Sequence, residues 1–230
     1  GDIEKESLPT LGTVSRNENG YPIGYFFGYK AIGVFQTQEE IDSYISPATG
    51  KPIQPNAAPG DTKFEDLNGD GVISDDNEDR TMIGKPNPDW MVGRTVTADW
   101  NGFDLSAFFQ GSFGADVFDA LRRYELAAVN YTSDALERWT GPGTSNSMPR
   151  IVLGDTPKNF RPSTLLVHDA SFLRLRNLQV GYTLPAQLTR KAYIQRLRFY
   201  ASFDNLLTIT GYKGMDPEIG STMGIDKGVY

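Results

Sequence analysis

The stretch "WMVGRTVTADWNGFDLSAFFQGSF", residues 90–113, decides the fold class. Two strand-like runs flank Asn101 and Gly102, and a two-residue hairpin turn needs positive φ at both central positions, which Asn-Gly supplies at little cost. In the second arm Phe103, Leu105, Ala107 and Phe109 fall on one face, with Asp104, Ser106 and Gln110 on the other. Phe108 breaks the alternation. The reading is a long antiparallel hairpin with one apolar and one polar side.

Working outward, two more strands have the same character. "SFLRLRNLQVGYTLP" changes phase near Asn177: Leu173 and Leu175 share one parity and Leu178, Val180 and Tyr182 the other, as a β-bulge would produce. "LRFYASFDNLLTI" sets Leu197, Phe199, Ala201 and Phe203 against Arg198, Ser202 and Asp204. Upstream, "YPIGYFFGYKAIGVF" (Tyr21 to Phe35) is aromatic and broken by Gly24, Gly28 and Gly33, and reads as a fifth strand with bulges.

The rest of the composition agrees. Glycine (24 residues) and aromatics (12%) are plentiful, and no long amphipathic helix dominates. The 230 residues carry no cysteine, which removes disulfides and thiolate metal sites, and a net charge of -7, which argues against nucleic acid. No run approaches the roughly 18 apolar residues of a membrane helix. Membrane strands, whose signal is short and alternating, stay open.

The connections sort the strands. Long links (36–89 and 112–170) alternate with short ones (101–102 and about a dozen residues from Ala186). A transmembrane β-barrel is wired this way, with tight periplasmic turns and extended outer loops. Trp90, Trp100, Phe103, Tyr182 and Tyr200 lie near strand ends, where an aromatic girdle would sit. The expected fold is therefore all-β: antiparallel strands forming part of a transmembrane barrel wall, with long extracellular loops that hold short helices over "QTQEEIDSYI" and "DVFDALRRYELAAVN". The rival is a secreted, soluble, calcium-stabilised β-domain acting as an adhesin or carbohydrate-binding module. Coordinates separate the two, because only the rival seals Phe103, Leu105, Phe199 and Phe203 in a core.

"DLNGDGVISDDNED", residues 66–79, has the layout of a calcium loop. Such loops place oxygens at positions 1, 3, 5, 7 and 12 and glycine at 6. Asp66, Asn68 and Asp70 take positions 1, 3 and 5, Gly71 takes 6, and the Val72 carbonyl takes 7. Position 12 is Asn77 rather than glutamate, with Asp76 and Asp79 as competing closing ligands. An all-oxygen set suits calcium, and magnesium less, since it demands a tighter octahedron. The ion would be structural, fixing the long outer loop.

The succession "PIGYFFGYKAIGVF", "PGDTKFEDLNGDGVI", "DRTMIGKPNPDW", "NGFDLSAFFQGSFGADVF", "DASFLRLRNLQVGYTLP" and "LRFYASFDNLLTITGYKGMDPEIG" resembles the C-terminal quarter of a SusC/RagA-type TonB-dependent outer-membrane transporter. The resemblance runs in order over nearly the whole chain. It implies a barrel of about 22 strands with a plug, which takes up oligosaccharides or peptides across the outer membrane of a Gram-negative bacterium. A SusD-like surface lipoprotein would serve as lid, TonB as energy source, and two such complexes often pair. Since about 22 strands of about ten residues would use the entire chain, the plug, the TonB-contacting segment and a last strand are expected to lie outside it. Family members place an aspartate directly before the "RT" that follows the acidic loop; here that is Asp79, which the resemblance makes the closing calcium ligand.

Other constellations yield nothing catalytic. His168, Asp169 and Ser171 are too close in an extended segment to converge as a triad. Asp116, Asp119 and Glu125 read as a solvated face, and "RKAYIQRLR" as a periplasmic turn. Arg174, Arg176 and Arg198 are expected to face the lumen and pair with acids of the plug. Tyr124, Tyr131 and Trp139 could stack on sugars, although loop aromatics more often pack the loop itself. The chain is not expected to be an enzyme, and its substrate-binding residues are not legible.

Overall fold

A computed structural model describes residues 6–7, 14–120, 130–214 and 216–218. In chain order the strands are β1 (Glu6–Ser7), β2 (Ser15–Asn17), β3 (Tyr25–Tyr29), β4 (Ala31–Val34), β5 (Thr62–Phe64), β6 (Arg80–Gly84), β7 (Trp90–Trp100), β8 (Phe103–Phe113), β9 (Asp116–Phe118), β10 (Val167–Asp169), β11 (Phe172–Thr183) and β12 (Arg198–Thr210). They divide between two compact units. One comprises Pro88–Ala115 and Asp169–Glu218, the other the described residues of Gly1–Asn87 and Asp116–His168.

The first unit is a four-stranded antiparallel sheet in the order β12-β11-β8-β7. Its hairpin turns at Asn101 (φ 48°) and Gly102 (φ 87°), as the Asn-Gly pair predicts. Gly102 has a second constraint: a Cβ there would lie 2.8 Å from the Thr183 carbonyl, and its own carbonyl accepts the Thr183 N–H at 2.7 Å. Gly102→Ala is expected to cost about 1–2 kcal/mol through left-handed strain plus that contact, read as a lower denaturant midpoint, while Asn101→Gly stays close to wild type.

The phase change in β11 is a bulge, as the sequence predicts. Register shifts between Leu175 and Asn177 against both neighbours: against β8 Arg176 is the inserted residue, while in β12 two residues, Asn205 (φ 52°) and Leu206, stand opposite it. The insertion turns Leu173 and Leu175 to the same side as Leu178, Val180 and Tyr182. Helix α1 (Gln38–Ser43) forms where expected, started by Thr37, whose hydroxyl accepts the Glu40 N–H at 3.3 Å.

The Tyr21–Phe35 segment departs from expectation. It belongs to the second unit as two short strands, β3 and β4, which enter different sheets, and Tyr25, Phe26, Phe27 and Tyr29 are all no more than 6% exposed. The physical reason is visible in "YFFGY": aromatics at consecutive positions cannot be split between a lipid face and a polar lumen, so the strand is buried on both faces. Phe26 joins Val14, Phe118 and Leu166 in a core cluster. The wall sheet therefore has four strands from this chain, not five. Asp116–Phe118 is extended rather than helical, and residues 121–129 of the expected second helix lie outside the described residues.

Candidate functional site

Register sorts every wall side chain onto one of two faces. Val92, Val96 and Ala98 of β7 align with Gly111, Ala107 and Leu105 of β8; these continue to Leu173, Leu178 and Val180 of β11 and to Ile209, Phe203 and Ala201 of β12, and Arg94, opposite Phe109, puts one charge of β7 on the same face. Trp90 pairs with Phe113 at one end, and Trp100 with Phe103 at the other, where the Phe103 and Tyr182 rings meet at 4.5 Å. This band is open. Phe103, Leu105, Phe199 and Phe203 are 50%, 38%, 61% and 47% exposed, which runs against the soluble rival, whose inner face would be covered. From Trp90 to Trp100 the strand climbs about 34 Å, or about 26 Å at a tilt near 40°, close to the apolar height of an outer-membrane barrel. Tyr200 is a correction to the expected girdle: it sits opposite Gly181 on the polar face, beside the Arg198 guanidinium.

The polar face is tied by arginines. Asp104 of β8 and Arg198 of β12 reach across β11 to form a two-pronged pair at 2.9 and 2.5 Å. They meet over Gly181, where a Cβ would lie about 2.5 Å from both groups, so glycine there makes room for the pair. Arg174 donates to Thr208 Oγ1 (2.9 Å), Glu218 (2.7 Å) and Asp216 (2.6 Å), and Arg176 to Gln110, Asn205 and Glu218. The arginines thus lie on the polar side as expected, and within this chain Asp104, Asp216 and Glu218 partner them. Sequence reasoning missed these partners because Asp216 and Glu218 follow the last strand, and nothing in strand periodicity reports a segment folded back across a face.

In the other unit the acidic loop is stitched by its own side chains. Asp66 accepts the N–H groups of Gly69 (2.8 Å) and Gly71 (2.9 Å), Asn68 that of Asp70, and Asp70 that of Val72. Asp79, fully buried, accepts from Leu67 N, Ser74 N and Ser74 Oγ, which joins the two ends of the loop. Asp76 caps the Glu78 N–H and bonds Ser74 Oγ, and Asn77 faces Arg80. Among the described residues no three acids or histidines converge as a metal cluster. Composition fits a hard cation, since every donor is oxygen and a carboxylate oxygen that accepts one N–H keeps a second lone pair, although Asp79 Oδ2 already accepts both the N–H and the hydroxyl of Ser74. Gly71 (φ 90°) presses on Ser46 and Thr49, where a Cβ would lie within 3 Å, so the turn is fixed from outside as well.

The remaining candidates separate. Ser171 Oγ accepts the Gly114 N–H, and Ser171 N donates to Asp169. Asp116 accepts the Lys85 N–H, while Glu125 and Tyr124 lie outside the described residues. Trp139 packs its indole on Gly60 and donates to Gln36, as a loop-packing residue.

No protein-family profile matches the chain. It is 33% identical over 222 residues, 92% of its length, to TonB-dependent receptor P3 of Formosa agariphila, and 29% identical over its full length to TonB-dependent receptor SusC of Bacteroides thetaiotaomicron. Among solved structures, the RagAB peptide transporter superposes over 95% of this chain with a TM-score of 0.69 at 27% identity. The chain belongs to the SusC/RagA-type TonB-dependent receptors. It spans about a fifth of the length of these relatives (21% of P3 and of SusC, 22% of the RagAB chain). The four-stranded sheet is accordingly a stretch of receptor barrel wall, with β7 and β12 at its edges. The relatives are receptors and transporters, not enzymes.

Proposed function

We propose that this chain is part of an outer-membrane importer, energised through TonB, that takes up oligosaccharides or peptides under a SusD-like surface lipoprotein. One observation carries the reading: an apolar band about as tall as a bilayer backs a polar face laced with arginine pairs, as a barrel needs between lipid and lumen. The test uses the intact receptor. Affinity-tagged receptor is expected in the outer-membrane fraction with a SusD-like lipoprotein bound, and growth on a single oligosaccharide or peptide source is expected to fail when TonB is deleted. Recovery as a soluble secreted protein would overturn it.

The second part of the proposal is a structural calcium ion held by Asp66, Asn68, Asp70, the Val72 carbonyl and Asp79. Calcium would supply the positive charge that gathers these oxygens, while the chain's own N–H bonds pre-form the turn. Titrated to about 100 times its Kd, calcium is expected to stabilise the loop-bearing unit by about 2.7 kcal/mol, seen as protection of residues 66–79 from proteolysis. Asp70→Asn should remove most of the response. Equal protection in calcium and in chelator would dismiss the ion.

A further inference from the structure

The unit that holds the acidic loop contains a cavity of about 680 Å³, well within the size of small-ligand sites. Its wall comes from Thr49 and residues 51–57, from Gly71–Ile73, and from residues 156–158 with Arg161, joined by Asp61. Its charge is opposite to that of the whole chain. Lys51, Lys158 and Arg161 line it, against one acid, Asp61, which is already committed to Arg150 at 2.6 and 3.1 Å and to Ala58 N and Asn159.

Arg161 is held for use. Its guanidinium stacks on Tyr29 (4.6 Å) and Phe64 (4.9 Å), and its Nε donates to the Lys158 carbonyl. Its Nη1 is buried and makes no hydrogen bond among the described residues; the nearest acid, Asp75, stands 3.8 Å away. Asp75 is an exposed residue of the acidic loop, and one carboxylate oxygen bonds Lys158 while the other faces Arg161. A planar carboxylate therefore spans the two cations, and the Lys158 bond holds the Asp75 carboxyl below its ordinary range. Lys158 itself sits at φ 59°, a left-handed conformation that non-glycine residues keep mainly where the surroundings impose it.

The remaining wall selects what accompanies the anion. Pro52, Ile53, Pro55 and Pro157 offer apolar surface without side-chain donors, and no aromatic ring lines the cavity to stack a sugar. We propose that this cavity binds a short acidic peptide, its carboxylate displacing Asp75 from Lys158 and Arg161 while apolar residues lie along the prolines. The site stands on the cavity itself and does not require that the bound peptide be the cargo.

The test measures binding to the intact receptor in detergent by fluorescence polarisation, using a labelled pentapeptide of valine and leucine ending in glutamate. Lys158→Ala is expected to weaken binding at least tenfold, and Asp75→Asn to tighten it several-fold by freeing both cations. The amidated glutamine-ending peptide and a uronic-acid disaccharide should bind at least tenfold more weakly. Opposite signs for Asp75→Asn and Lys158→Ala set this cavity apart from any peptide site elsewhere on the receptor and from general unfolding. Undetectable binding to both wild type and Asp75→Asn, equal binding by Lys158→Ala, or tighter binding of the disaccharide would each overturn the site. None of these outcomes bears on import, which is read by growth and fractionation.

Discussion

Arg174→Ala is expected to destabilise the intact receptor by about 3 kcal/mol, at the lower end of the roughly 3–5 kcal/mol that follows removal of one partner from a buried ionic network. The residue is 6% exposed, and its side chain lies over Phe172 and joins β12 at Thr208 to Asp216 and Glu218 beyond it. Its loss strands two carboxylates. Both are about a third exposed (33% and 30%), and Glu218 keeps Arg176, so water and a second guanidinium recover part of the cost. Arg174→Lys keeps the charge but cannot address two carboxylates with a planar fork, and should fall between alanine and wild type. Unfolding in guanidinium, followed by the shift of folded barrel on cold gels, reads the difference; an alanine variant within 0.5 kcal/mol of wild type would remove the network from the account.

The same network predicts a pH dependence. Burial pushes the Asp216 carboxyl up, but the Glu218 N–H and the Arg174 guanidinium outweigh it and hold the group below its ordinary value. A carboxylate whose folded pKa is depressed stabilises above its unfolded pKa and loses that contribution as pH falls through the folded one. The gap between wild type and Arg174→Ala should therefore be full at neutral pH and narrow below about pH 4.

The wall was legible because each signal in it is local. Asn101-Gly102 dictates the turn from two residues, and the parity switch between Leu175 and Leu178 reports Arg176 as an insertion without any knowledge of the neighbours. Tyr21–Phe35 carries the aromatic content of a wall strand without its alternation, and it is the alternation that separates a barrel strand from a core one. Its burial depends on Val14, upstream of the segment, and on Phe118 and Leu166, which lie far away in sequence and outside any window around "YFFGY". The acidic loop lies between these cases. Spacing picks out Asp66, Asn68 and Asp70 as a candidate set, whereas the return of Asp79 to Leu67 N and Ser74 N depends on how the whole loop folds, which spacing does not report. Lys158 and Asp75, 83 residues apart, were beyond sequence reading altogether.

Phe203→Arg and Ser106→Lys decide what surrounds the sheet. By register Val96, Ala107, Leu178 and Phe203 form one row across the middle of the apolar band, and Ser106 lies beside that row on the polar face. In lipid, an arginine at the midplane of a barrel's outer face costs about 2–4 kcal/mol, because no water can solvate the guanidinium there. In water, a charge at a site 47% exposed, as Phe203 is, would change stability by no more than about 0.5 kcal/mol. The expected result is a loss of about 2–4 kcal/mol for Phe203→Arg and almost none for Ser106→Lys, measured by refolding the intact receptor into vesicles across a guanidinium series. The pair matters more than either variant, since a long cationic side chain that merely disturbed strand pairing would be costly on both faces. Equal, small effects would mean that the row of Val96, Ala107, Leu178 and Phe203 meets water at its exposed ends, Val96 and Phe203, and the barrel wall would have to be abandoned together with the import reading built on it.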